Sequence, residues 1–134
     1  MSVVTSGQIS LVTVVVPSYE AGLAFYVSTL GWDLRSNEDQ GQGKRWVVVA
    51  PSGSHCAILL AAAANAQQTA AIGAQTGGRV GFFLTVSDFR ETYQKMCNAG
   101  VMFEEAPRQE PYGTVAVWQD PFGNRWDLLE RHAK

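Results

Sequence analysis

The sequence is poor in the side chains from which most dedicated chemistry is built. It holds two cysteines and two histidines in 134 residues, and Cys56 and Cys97 stand in no CxxC or zinc-finger spacing. That argues against a disulfide framework or a cysteine-built zinc site, and predicts two reduced, mostly buried thiols. Charge is scarce as well: 16% of residues are charged, the net charge is -2, and the two signs are interspersed. Without a basic stripe there is nothing to meet a phosphate backbone, so no nucleic-acid partner is expected. The longest apolar run, "CAILLAAAA", falls well short of the ~20 residues that cross a bilayer. The opening "MSVVTSGQIS" has neither the positive start nor the apolar core of a signal peptide. A cytoplasmic protein without a membrane partner is expected.

What remains is an apolar chain, 46% hydrophobic with 13 glycines, of a length that suits one soluble globular domain. A domain of this size buries roughly two-thirds of the surface its unfolded chain exposes, enough to fold without staples. Four runs read as strands from their β-branched and aromatic content: Ser10 to Val16, Arg45 to Ala50, Val80 to Val86 and Thr114 to Gln119. "CAILLA" and "RWDLLE" read as two more, with "WDLRS" and "VMFEE" as shorter candidates. Two helices are expected between them. The first starts after Pro17-Ser18, places Tyr19, Leu23, Tyr26 and Leu30 on one stripe, and stops at Gly31. The second has Asp88 and Glu91 at capping-box spacing, an inner stripe of Phe89, Tyr93, Met96 and Cys97, and a stop at Gly100.

Strand, helix and three strands therefore occur twice. Pro51-x-Gly53 precedes a strand, as does Pro121-x-Gly123 seventy residues later, and the same offset brings Ser18 onto Asp88. The pattern is that of a duplicated supersecondary unit. Module one spans about 9–61 and module two about 79–130, with an Ala/Gln/Gly-rich connector at about 62–78 whose middle can form one or two helical turns. Asp120 and Pro121 suit the first two positions of a type I turn and Gly123 the last, and the strand beyond puts Arg125, Asp127 and Leu129 on one face.

The βαβββ unit occurring twice, with "FYVSTLG" at the end of the first helix and "DPFGNRWDLLE" in the last strand, resembles the vicinal oxygen chelate superfamily of glyoxalases, bleomycin-resistance proteins and extradiol dioxygenases. "KRWVVVAPSGS" and "EPYGTVAVWQDPFGNRWDLL" further resemble its bacterial glyoxalase-like branch. The resemblance covers about Ile9 to Glu130. It implies an α+β fold of two tandem βαβββ modules forming a cupped mixed sheet, helices on the outer face, and often a homodimer. In metal-dependent members, ligands lie mid-way along the first and last strands of each module. Carried over, those positions are Leu11, Ala57, Gly81 and Asp127. Hydrocarbon side chains offer a cation no lone pair, and one carboxylate falls short of the roughly three protein ligands a catalytic site keeps. No metal cofactor is expected. His55, two residues before Ala57, is the one side chain that would support a displaced site with Asp127.

Strand alternation, phased on Leu11 and Asp127, lists Thr13, Val15, Phe83, Thr85, His55, Leu59, Arg125 and Leu129 as inward-facing. The phase that adds Trp46, Val48, Ala116 and Trp118 makes the hollow aromatic. Such a surface suits a small aromatic or amphiphilic molecule, fixed by a few polar groups. The candidate ligand contacts are Trp46, Trp118, Phe83, Arg125, His55, Thr13 and Tyr112, the last as a lid residue. Each has a structural alternative: Trp46 and Trp118 as ordinary core, Arg125 paired with Asp127, and Tyr112 as a surface aromatic. Glu104, Glu105 and Glu110 read as a solvated acidic rim. Two functions fit. One is a non-catalytic, metal-free binding protein. The other is a glyoxalase-like lyase or isomerase with Asp127 as general base, assisted by Arg125 or His55.

Overall fold

The computed structural model describes residues 3–4 and 6–133. The elements run in the order β1 (Leu11–Val16), α1 (Tyr19–Leu23), β2 (Asp33–Asp39), β3 (Arg45–Ala50), β4 (Ala57–Ala62), α2 (Ala66–Ala71), β5 (Phe82–Thr85), α3 (Phe89–Asn98), β6 (Met102–Phe103), β7 (Arg108–Glu110), β8 (Gly113–Gln119) and β9 (Arg125–Arg131). The expected α+β architecture of two repeated modules is present, each module builds its own mixed sheet, and the second carries one strand, β7, beyond the expected βαβββ. The chain divides into two compact units after Ala62. Among the described residues no helix is long and apolar enough to cross a membrane.

In the first unit the strand order is β1-β4-β3-β2, with β1 and β4 parallel and the remaining pairs antiparallel. Ser18 caps α1 by accepting from the Ala21 amide at 3.1 Å. After Leu23 the helix widens into a π-helix over Ala24–Thr29. Of the expected stripe Tyr26 is fully buried, Phe25 joins it in the core, and Tyr19, Leu23 and Leu30 are only half-buried. Gly22 is the residue that lets the helix approach its sheet, because a Cβ there would press on Leu60 and Val16. Val14, Val16, Val47, Val49, Ile58 and Leu60 alternate onto this helix-side face.

In the second unit the order is β5-β9-β8-β6, and β7 adds to β8 through a tight hairpin at Pro111-Tyr112. Asp88 caps α3 through the Glu91 amide, and α3 packs Phe89 and Met96 inward. Cys97 and Cys56 are free, as expected, but both are exposed rather than buried. Cys97 follows Met96 by 100° around the helix, which turns it away from the packed stripe.

The connector is more than a joint. Asn65 caps α2 through the Gln68 amide, and Gly73 (φ 71°) packs against the Phe122 carbonyl so closely that a Cβ would collide with it. That carbonyl belongs to the turn between β8 and β9. There Gly123 donates to the Asp120 carbonyl at 3.2 Å, and the buried Asp120 side chain accepts from the Phe122 and Asn124 amides and the Asn124 side chain. The turn is thus satisfied internally and clamped by the connector.

Candidate functional site

Two registers define the candidate site in the second sheet. Asp127 on β9 lies opposite Phe83 on β5 and Val117 on β8, while Leu129 lies opposite Thr85 and Val115. These side chains share the face turned away from α3, because Trp126 and Leu128, one residue out of phase, occupy the helix side. Arg125 and Gln119 extend the face at one end, and Arg108, opposite Val115, extends it at the other. Val115, Val117 and Leu129 are buried, whereas Phe83 is 62% exposed. The result is an apolar floor bearing one carboxylate, with an open aromatic ring beside it.

The charged groups around Asp127 are matched among themselves. Arg125 donates to both oxygens of Glu104, from Nε at 2.8 Å and Nη2 at 2.7 Å, and its Nη1 reaches the Gly78 carbonyl at 2.9 Å. Arg108 donates from Nε to both Glu105 oxygens at 3.1 and 3.2 Å, and it also pairs with Glu110. Glu105 further accepts from the Val117 amide at 2.9 Å. Asp127 stands outside these pairs: its Oδ1 is buried and has no hydrogen-bond partner among the described residues. Burial raises its pKa above the ordinary carboxylate value. The Arg108 charge opposes that rise, Glu105 adds to it, and Arg125 opposes it more weakly.

The sequence-predicted residues separate on this geometry. Phe83, Arg125 and Asp127 come together on one face, as strand alternation requires. Trp118 does not join them. It is fully buried on the helix side, paired in register with Trp126 and stacked on it at 5.0 Å and 15°, and Phe82 stacks on the other side of Trp126 at 4.9 Å. The physical reason is register. Eight residues separate the paired Val49 and Ile58 in the first module, but five separate Gln119 and Arg125 in the second. An odd difference turns every side chain of β8 over relative to a strict seventy-residue repeat. Gly81 is corrected likewise: β5 pairs Phe83 with Asp127, a two-residue shift that preserves the face.

In the first unit Trp46 is half-buried and packs against Val48, Ala50 and Ala57 together with Leu11 and Leu59. Thr13, opposite Leu59, shares that face and is exposed. His55 is corrected: β4 begins at Ala57, so His55 sits in an exposed bend before the strand, where alternation no longer applies. Tyr112 occupies the β7–β8 hairpin and is 45% exposed. Arg108 was missed by strand reading. "RQE" is too short and polar to announce a strand, although its alternation with Glu105 and Glu110 signals an ion-pair cluster. The acidic rim is therefore no solvated fringe, since each of its three carboxylates holds an arginine.

The donor set at the positions that the resemblance marks for metal ligands is Leu11 paired with Ala57 in the first sheet and Phe83 paired with Asp127 in the second. A single carboxylate among hydrocarbon side chains does not fit a divalent cation. Among the described residues no group of three or more His, Cys, Asp or Glu is placed to share an ion. A separate hollow of about 530 Å³ lies beside α3, lined by residues such as Phe89, Tyr93, Gln109 and Glu130. It is on the opposite face from Asp127, and Glu130 there is engaged by the Phe89 amide at 2.7 Å.

Comparison with known proteins adds the following. The family model described as Glyoxalase/Bleomycin resistance protein/Dioxygenase superfamily matches residues 8–128. An uncharacterized protein of Shewanella frigidimarina (strain NCIMB 400) is 44% identical over 125 residues, which cover 92% of this chain and 93% of that protein. The crystal structure of UcmS2 superposes with a TM-score of 0.81 at 28% identity, covering 93% of this chain and 98% of UcmS2. TnmS3, an antibiotic binding protein from Streptomyces sp. CB03234, superposes with a TM-score of 0.78 at 26% identity, covering 96% of this chain and 99% of TnmS3.

Proposed function

The chain belongs to the glyoxalase/bleomycin resistance protein/dioxygenase superfamily, and from that premise we propose that it binds a small aromatic or amphiphilic molecule, without a metal ion, on the Asp127 face of its second sheet. The observation that carries this reading is the exposed Phe83 ring in register with a half-buried, unmatched carboxylate, backed by the buried Val115, Val117 and Leu129. The exposed aromatic ring supplies contact, and a lone polar group fixes orientation. The likeness to an antibiotic binding protein supports the same class of ligand. The family expectation of a homodimer belongs to this reading and is checked by light scattering.

The test is a calorimetric titration of chelator-treated protein with planar aromatic compounds. The reading expects saturable binding at one molecule per chain, undiminished by chelator and weakened by Phe83→Ala. Absence of saturable binding across the panel, or dependence on an added divalent ion, overturns it.

A second reading is favoured by the partnerless Asp127 oxygen: a lyase or isomerase in which this carboxylate abstracts a proton next to a carbonyl. Its raised proton affinity moves it towards the range a general base uses. Turnover of a carbonyl substrate that Asp127→Asn abolishes, with ligand affinity retained, selects this reading over binding alone.

A further inference from the structure

Resting on the binding reading, we infer that Asp127 selects the ligand by charge: the favoured molecule presents a protonated amine to this carboxylate, and an aromatic carboxylate is rejected. Three independent features carry the inference.

The first is that the two arginines whose charges act on Asp127, Arg108 and Arg125, are both already engaged. Arg125 is forked onto Glu104 and bound to the Gly78 carbonyl. Arg108 is held between Glu105 and Glu110. An anionic head group would have to break one of these charge-assisted pairs, which are among the stronger hydrogen bonds a protein makes. Arg131, on the same face, stands four residues along β9, roughly 13 Å from Asp127 at ~3.3 Å per residue.

The second is the sign of the cluster. Arg108 and Arg125 face Glu104, Glu105, Glu110 and Asp127, two positive groups against four negative ones, so the cluster carries -2 when all are ionised. A cation is attracted to this neighbourhood and an anion repelled, and the apolar floor weakens screening of both effects.

The third is geometric. Asp127 is half-buried, with Oδ1 sealed and lacking a donor, so the carboxylate keeps unmet acceptor capacity. The exposed Phe83 ring is its register partner on β5. An aromatic amine satisfies both at once, its ring against Phe83 and its N–H donors on the open side of the carboxylate. The Phe83 ring face also attracts the cation.

The experiment is calorimetric titration of the full chain at pH 7 with three compounds that share one ring system: 2-naphthylmethylamine, 2-naphthylmethanol and 2-naphthoate. The expected order of affinity is amine, alcohol, carboxylate, with the amine at least tenfold tighter than the carboxylate, as one charge-assisted hydrogen bond would give. Asp127→Asn keeps the shape and removes the charge. It should weaken the amine about tenfold or more, change the alcohol least, and strengthen the carboxylate. Naphthoate binding as tightly as the amine, or an unchanged amine-to-carboxylate ratio in Asp127→Asn, overturns the charge selection while leaving the binding reading intact. If none of the three binds, the binding reading falls and this inference with it.

Discussion

Arg125 and Glu104 meet fork to fork across the second sheet, with Nε and Nη2 of the guanidinium on the two carboxylate oxygens at 2.8 and 2.7 Å. Strand alternation places Arg125 beside Asp127, two residues along β9, and from sequence alone that neighbour is the natural partner. The bidentate geometry explains why Glu104 wins: a planar fork matches both oxygens of a carboxylate presented from the residue just after β6, whereas a same-strand neighbour two residues away projects parallel to it.

The pair predicts an acid-sensitive contribution to stability. The Arg125 hydrogen bond, the largest cause, holds the Glu104 pKa below the ordinary 4.5. A carboxylate whose pKa is depressed on folding stabilises the fold above its unfolded value, and that stabilisation is lost as pH falls through the folded value. Glu104→Gln should therefore lower the urea midpoint at pH 7 and approach wild type below pH 4.5. A midpoint difference that stays constant across the acid range would contradict the assignment.

Asp127 predicts the opposite slope. Its folded pKa is raised from 3.8, chiefly by burial, with Glu105 adding to the rise and Arg108 and Arg125 opposing it. A raised carboxylate pKa means that folding takes up a proton. Asp127 is then best tolerated below 3.8, and its cost grows as pH rises through the folded value. Asp127→Asn should unfold at a higher temperature than wild type at pH 7, with the advantage shrinking towards pH 3. Thermal scans at the two pH values check this, and a variant less stable at pH 7 would show that the carboxylate has a donor after all.

How far sequence reasoning reached is set by what is local. The caps at Ser18 and Asp88 and the Asp120–Asn124 turn depend on neighbours within four residues, and each forms as its spacing requires. The two βαβββ modules follow from strand-length apolar runs separated by helical ones. Phases that depend on a hairpin's length did not transfer: three fewer residues between the paired Gln119 and Arg125 than between the paired Val49 and Ile58 put Trp118 on the helix side while Trp46 stays on the Leu11 face. Long-range polar partners were equally hidden, because nothing near Arg125 in the chain points to Glu104.

The connector predicts a stability effect that its composition conceals. Gly73 combines φ 71° with contact against the Phe122 carbonyl. Gly73→Ala meets both a backbone conformation that L-residues disfavour and a steric clash with main chain that cannot swing aside. The expected cost is roughly 1–3 kcal/mol in chemical denaturation, from the strain of such a position. Gly77→Ala, also at positive φ but with open space around it, should cost less, and equal costs would mean that the Phe122 contact contributes nothing.

Trp118 and Phe83, two of the four aromatic residues expected to line the site, predict opposite behaviour, and this separates core from surface. Trp118 is fully buried in the stack with Trp126 and Phe82. Truncating it to Ala removes transfer energy and leaves a cavity, together ~3–5 kcal/mol. Trp118→Phe is the informative variant: it retains part of the stack, loses less stability, and leaves the Asp127 face untouched, so the affinity for an aromatic ligand should hold. Phe83 is 62% exposed, so Phe83→Ala should change stability by no more than about 0.5 kcal/mol. It nevertheless removes the ring beside Asp127, and ligand affinity should fall. Denaturation and titration of both variants give four measurements. Loss of affinity in Trp118→Phe without loss in Phe83→Ala would place the ligand on the helix side of the sheet and refute the site.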